Sequence, residues 1–189
     1  MPKILIIGDS ISIGYTPTVA AELADVADVV HSPGNASDCT NIVSNVDAWL
    51  AEANPQIVAL NCGLHDVKRE DEKQEHCRVP VEFYKTILPA IIEKVLGNGR
   101  RMLWVNTTPV IEERHQAVKP AGRYNKDIDA HNKAARGIIR KAGLPTVNLN
   151  KTVRKMDMEA VMTEDGAHFL PDAYEALGKK VAARLREML

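Results

Sequence analysis

The segment Met1-Pro-Lys-Ile-Leu-Ile-Ile-Gly-Asp-Ser10 decides how the rest of the chain is read. Ile4, Leu5, Ile6 and Ile7 form an unbroken aliphatic run, the pattern of a strand buried on both faces, as in a parallel sheet covered by helices on each side. Gly8 permits backbone geometry that other residues resist. The chain then leaves the strand at Asp9-Ser10, at the carboxyl edge where open α/β sheets place their ligands. Ser10 is therefore positioned to act as a nucleophile. Near the opposite end, Asp165-Gly-Ala-His168 sets a carboxylate and an imidazole three residues apart. One turn there lets the carboxylate orient the ring while the other ring nitrogen faces a hydroxyl. On residues alone, Ser10 also reads as a helix cap and the Asp165 to His168 stretch as an ordinary turn.

The chain has 189 residues, 45% of them hydrophobic, enough for one domain with an ample core and no second domain. No linker, low-complexity segment or internal repeat divides it. The net charge of -1, from 24 basic and 25 acidic residues, leaves no footprint for nucleic acid or an anionic membrane, and a small neutral substrate fits better. No apolar run approaches the roughly 20 residues of a membrane span, and the apolar start is a strand without a cleavage site behind it. Cys39, Cys62 and Cys77 are odd in number and lack metal spacing, which points to free thiols in a reducing compartment, the cytoplasm. None of the six histidines has zinc-type spacing, so neither a metal nor a cofactor is expected.

Alternation then sets the fold. Thr16-Pro17 reads as an N-cap and first helical residue, opening a helix through Val19 and Leu23. A strand follows over Val26 to His31, a helix over Thr40 to Ala53 and a strand over Gln56 to Asn61. The charged stretch from Gly63 to Val79 reads as a loop. A helix from about Val81, with Pro89 as a kink, precedes a strand from Met102 to Thr107 and a polar excursion from Glu112 to Arg123. Within that excursion Arg114, His115 and Arg123, with Asn125 beyond it, read as solvated loop residues. A helix bearing Ile128 and His131, a short strand from Leu144 to Leu149 and a terminal helix with capping-box spacing at Asp172 to Glu175 complete the chain. Such β-α alternation predicts an α/β three-layer αβα sandwich around a doubly wound, parallel, five-stranded sheet.

Along nearly its whole length the chain resembles the SGNH hydrolases, the GDSL-type esterases and lipases. Gly8-Asp9-Ser10-Ile11 looks like the first family block and Asp165-Gly166-Ala167-His168 like the last. The resemblance implies a flavodoxin-like fold, Ser10 as nucleophile, His168 as base and Asp165 as its partner. Two middle blocks depart from the pattern. The second usually offers a glycine N–H to the oxyanion; here Ser32-Pro-Gly-Asn-Ala-Ser-Asp-Cys-Thr40 offers Gly34 or Ser37, with Ser37 the better match. The third usually reads Gly-x-Asn-Asp, whereas this chain has Gly63-Leu64-His65-Asp66, like a variant subgroup. A neutral imidazole can donate as an amide does, so His65 is a candidate oxyanion donor or a packing residue. Asn35 and Asp66 are candidate substrate contacts or loop stabilisers.

These readings predict a serine hydrolase for a small-molecule ester, with a short acyl group such as acetyl on a carbohydrate or small alcohol, working through an acyl-enzyme. Aromatics make up 4% of the chain and the site loops are polar, which argues against a long acyl tunnel. The alternative is a non-catalytic αβα module that binds a carbohydrate or small polar ligand at the same sheet edge. The sequence does not specify an oligomeric state.

Overall fold

The computed structural model describes residues 1–71, 73 and 75–189. Five parallel strands, β1 (Lys3–Ile7), β2 (Asp28–His31), β3 (Ile57–Leu60), β4 (Arg101–Val105) and β5 (Thr146–Val147), lie in the order β2-β1-β3-β4-β5. This is the flavodoxin-like arrangement, in which the chain reverses direction across the sheet beside β1. The helices are α1 (Ser10–Leu23), α2 (Cys39–Ala53), α3 (Val81–Leu96), α4 (Glu112–Val118), α5 (Asn125–Lys141), α6 (Leu149–Val153), α7 (Met158–Val161) and α8 (Pro171–Arg186). The expected α/β three-layer sandwich is the observed one.

The two-residue period of the strands divides the core into two halves. Ile4, Ile6, Ile57, Ala59, Leu103 and Val105 face α1 and α8. Leu5, Ile7, Val58, Leu60, Met102 and Trp104 face α2, α3 and α5. The inner strands therefore need apolar residues on both faces, and the aliphatic run of β1 follows from this.

Local structure differs from expectation in four places. Helix α1 begins at Ser10 rather than near Thr16, because the Asp9 carboxylate accepts the Ile11 N–H at 3.0 Å and caps it. Ile11, Tyr15, Val19 and Leu23 then form a buried stripe that carries the helix through Pro17. Helix α8 begins at Pro171 with no side-chain cap, so Asp172 lies inside the first turn instead of capping it. The excursion after β4 contains α4, and a bridge between Arg69 and Gly122 clasps it to the loop after β3, two of whose residues lie outside the described ones. Strand β5 is only two residues long because Asn148 caps α6, accepting the Lys151 N–H at 2.9 Å. Among the described residues, no helix is long and apolar enough to cross a membrane.

Candidate active site

Ser10 opens α1 at the carboxyl edge of β1, and His168 stands just before α8. The two helices pack so closely that a Cβ on Gly14 would fall 2.3 Å from the Tyr174 ring, and one on Gly178 would fall 2.6 Å from the Thr18 Cβ. This contact sets the serine hydroxyl 2.8 Å from His168 Nε2. On the far side of the ring, His168 Nδ1 lies 2.6 Å from Asp165 Oδ2. The carboxylate acceptor fixes the hydrogen on Nδ1 and leaves the Nε2 lone pair facing the serine.

The Asp165 turn is held from several sides. Asp165 Oδ1 accepts the N–H groups of Ala167 and His168 at 3.0 Å each and the Thr163 hydroxyl at 2.8 Å. Burial alone would raise the carboxyl, but these donors and the imidazole outweigh it and hold Asp165 well below the usual carboxylate range. Gly166 adopts φ +64°, and a Cβ there would lie 2.5 Å from the Ile111 carbonyl oxygen, so only glycine fits the turn.

A cleft of about 510 Å³ opens over Ser10 and His168. Asn35 and His65 line it. His65 is pushed down to about 4, chiefly by burial and then by the Arg123 charge, so its ring is neutral near pH 7 and carries one N–H. Its Nδ1 lies 3.4 Å from the Ser37 hydroxyl. Ser37 itself has φ +59°, a conformation that favours glycine, and its N–H is taken by the Asn35 side-chain oxygen at 2.8 Å. Gly34, the other candidate in that loop, is exposed, and both it and Ser37 stand beside the residues that line the cleft rather than among them. Of the two readings of Asp66, the structure favours the loop stabiliser over the substrate contact. Asp66 is fully buried and holds the Cys39 N–H at 3.0 Å, so it braces the start of α2 rather than meeting a ligand.

A family model of GDSL-like lipases and acylhydrolases matches residues 4–181. The chain belongs to this GDSL-like lipase/acylhydrolase family. It is thus a carboxylic ester hydrolase, of a family whose members use a serine nucleophile and an oxyanion hole. Comparison with curated proteins gives no match. Among solved structures, a lipase/acylhydrolase from Enterococcus faecalis has a TM-score of 0.85 at 18% identity, covering 100% of this chain and 97% of that one. The acetyl xylan esterase AlAXEase gives 0.79 at 16%, covering 96% and 98%. A catalytic mutant of Axe2, an acetylxylan esterase from Geobacillus stearothermophilus, gives 0.78 at 16%, covering 97% and 94%. At these identities the likeness is one of fold.

The acylhydrolase cleft also contains two residues that the sequence presented as solvated loop. His115 is fully buried, and Arg123 is only 8% exposed. Arg123 Nε donates to the Leu64 carbonyl at 2.7 Å, and one Nη donates to His115 Nε2 at 3.0 Å. Accepting at Nε2 leaves the hydrogen of His115 on Nδ1, which donates to the Asp165 backbone carbonyl at 3.0 Å. The acylhydrolase thereby joins its third block to the Asp165 turn through two side chains. Burial lowers the His115 pKa, in keeping with this neutral, relaying form. Asn125 is likewise structural, bonding Val110 through both ends of its amide at 3.1 and 2.9 Å. Arg114, in α4, does reach solvent as expected, while pairing with Glu159.

Proposed function

We propose that this acylhydrolase cleaves a short-chain ester, acetyl on a carbohydrate or other small alcohol, with Ser10 as nucleophile, His168 as base and Asp165 as orienting acid. The supporting observation is the unbroken hydrogen-bond chain from the Ser10 hydroxyl through His168 to Asp165, 2.8 and 2.6 Å long. Ser10 Oγ attacks the ester carbonyl carbon while its proton passes to His168 Nε2. Asp165 stabilises the resulting imidazolium. Collapse of the tetrahedral intermediate breaks the bond to the alcohol oxygen, which leaves with that proton. Water then attacks the acyl carbon, gives a proton to His168 and releases the acid, and the proton returns to Ser10.

Three donors suit the oxyanion. The Ser10 N–H belongs to the first turn of α1, where backbone donors lack intrahelical partners and the helix dipole favours negative charge. His65 supplies a neutral N–H from its ring. The Ser37 N–H becomes the third donor once the substrate oxygen replaces the exposed Asn35 side chain. The short acyl group is supported by the two acetylxylan esterases of the same fold. The three free cysteines suit a reducing compartment such as the cytoplasm.

Labelling by a fluorophosphonate tests the reading. Covalent capture of the protein, abolished by Ser10→Ala, is the expected result, together with hydrolysis of small acetate esters. A folded protein that resists the label and leaves acetates intact while binding sugars would instead be a binding module.

A further inference from the structure

Arg123 is buried, yet no carboxylate of a described residue lies within ion-pairing distance of its guanidinium. Its named hydrogen bonds go to a carbonyl and a neutral imidazole, which use its donors without neutralising its charge. Buried arginines are ordinarily paired, because a lone charge removed from water is expensive. The acids that act on Arg123 from further away are otherwise engaged. Burial pushes Asp9 toward its neutral form, and Asp165 is bound to His168. Arg123 faces the cleft over Ser10 rather than the core.

The same cleft is basic elsewhere. Lys68 and Lys119 line it, and Glu70 is the one acid among its described lining residues. Glu70 already meets Lys68 at 2.9 Å and Arg78 at 2.6 Å, so it does not offset the remaining cations. Lys119, half exposed at the mouth, reaches Asp165 only at 4.0 Å. The near-neutral charge of the whole chain, which suggested a neutral substrate, does not describe this cleft.

We propose that the ester cleaved here carries an anionic group, a carboxylate or a phosphate, on its alcohol part, and that Arg123 receives it with help from Lys119. This rests on the hydrolase reading, since the anion is placed on the alcohol because the acyl group is short. The guanidinium fork matches either oxyanion, and the low-dielectric setting strengthens the attraction. The exposed ammonium of Lys119 adds a weaker, salt-sensitive pull.

The test compares acetate esters with and without an anionic group: O-acetyl lactate against its amide, and acetylglycerol 3-phosphate against acetylglycerol. The expected kcat/KM is about tenfold or more higher for the charged member of at least one pair, mainly through KM, as suits a hydrogen-bonded charge. The pair that shows the preference separates carboxylate from phosphate. Arg123→Gln should bring the ratio towards one. Because Arg123 is buried and its replacement can unfold the loop, Lys119→Gln provides a second variant, with a ratio lowered roughly two- to fivefold. Equal kcat/KM within both pairs overturns the proposal, as does a ratio unmoved by either substitution. Should neither charged nor neutral acetates be cleaved above the Ser10→Ala background, the hydrolase reading fails by itself. Titration of lactate and glycerol 3-phosphate into Ser10→Ala protein then decides the anion site: binding of either, weakened about tenfold by adding Arg123→Gln, supports it, and no binding of both overturns it.

Discussion

Gly178 of α8 rests on Thr18 of α1 with no room for a methyl group: an added Cβ would lie 2.6 Å from the Thr18 Cβ and 2.9 Å from the Tyr15 carbonyl oxygen. Through this contact the helix that follows His168 meets the helix that begins at Ser10. Helix propensity alone would make Gly178→Ala stabilising by about 1 kcal/mol. The backbone of α1 cannot yield as a side chain would, and overpacking of this kind costs about 1–3 kcal/mol. The steric effect is expected to win. Gly178→Ala should lower the urea midpoint and also kcat, because the helices separate where the serine and imidazole must meet.

The charge of Asp165 is separable from its geometry. Its Oδ1 accepts three donors, so the amide of Asp165→Asn must put its oxygen there and its NH₂ towards His168 Nδ1. That NH₂ demands a bare Nδ1, moves the hydrogen to Nε2 and removes the base from Ser10. The variant should fold and bind ester normally but lose about 10⁴-fold in kcat, the scale seen where a triad imidazole is held in the wrong tautomer. Steady-state kinetics on a neutral acetate measure it; a loss of less than tenfold would detach Asp165 from the chemistry.

His65 is expected to act mainly in the transition state. Removing an oxyanion donor costs about 10²–10³ in kcat, so His65→Ala should fall by that amount with KM nearly unchanged, while His65→Asn retains turnover. Equal activity in all three proteins removes His65 from the mechanism.

The same histidine makes stability depend on pH in a stated direction. Its folded pKa of about 4 is below the unfolded value of about 6.5, so between these the unfolded chain binds a proton that the folded chain refuses. The stability of the wild type relative to His65→Asn should therefore rise as pH increases from 4 to 6.5 and level off above it. Taking the difference between variants cancels the opposing contributions of Asp9 and Asp66, whose pKa values burial raises. Denaturant midpoints across this range measure it, and a flat difference would show that His65 ionises freely when folded.

Asn35 guards the Ser37 N–H. Asn35→Ala releases that donor and should raise kcat on small acetates, provided the loop keeps its conformation. If kcat falls while stability is unchanged, Asn35 serves the substrate rather than restraining the donor.

Patterns that repeat over a few residues reported themselves in the sequence. The aliphatic run of β1, the β-α alternation and the helical stripe of α5 needed only the periods of strand and helix, and they determine the parallel sheet and its two covered faces. The Asp165 to His168 spacing was also legible, because a turn of four residues is a local object. Boundaries were less so. Pro17 looked like a start, but the cap of Asp9 and the buried stripe of α1 carried the helix across it.

What the tertiary structure alone decided is which polar groups lose their water. Arg123 and His115 read as solvated loop because a charged excursion is ordinarily solvated, yet the clasp between the loops after β3 and β4 buries both beside the Asp165 turn. Asp66 read equally as a substrate contact or a loop stabiliser, and the fold turned it inward to Cys39. Hydrophobic periodicity is a property of neighbours in the chain, whereas desolvation and charge pairing depend on residues far apart in it. The sequence by itself therefore specified the sheet and the residue types at its edge, and only the folded chain set which of them face the cleft, how far apart they stand and what charge it presents.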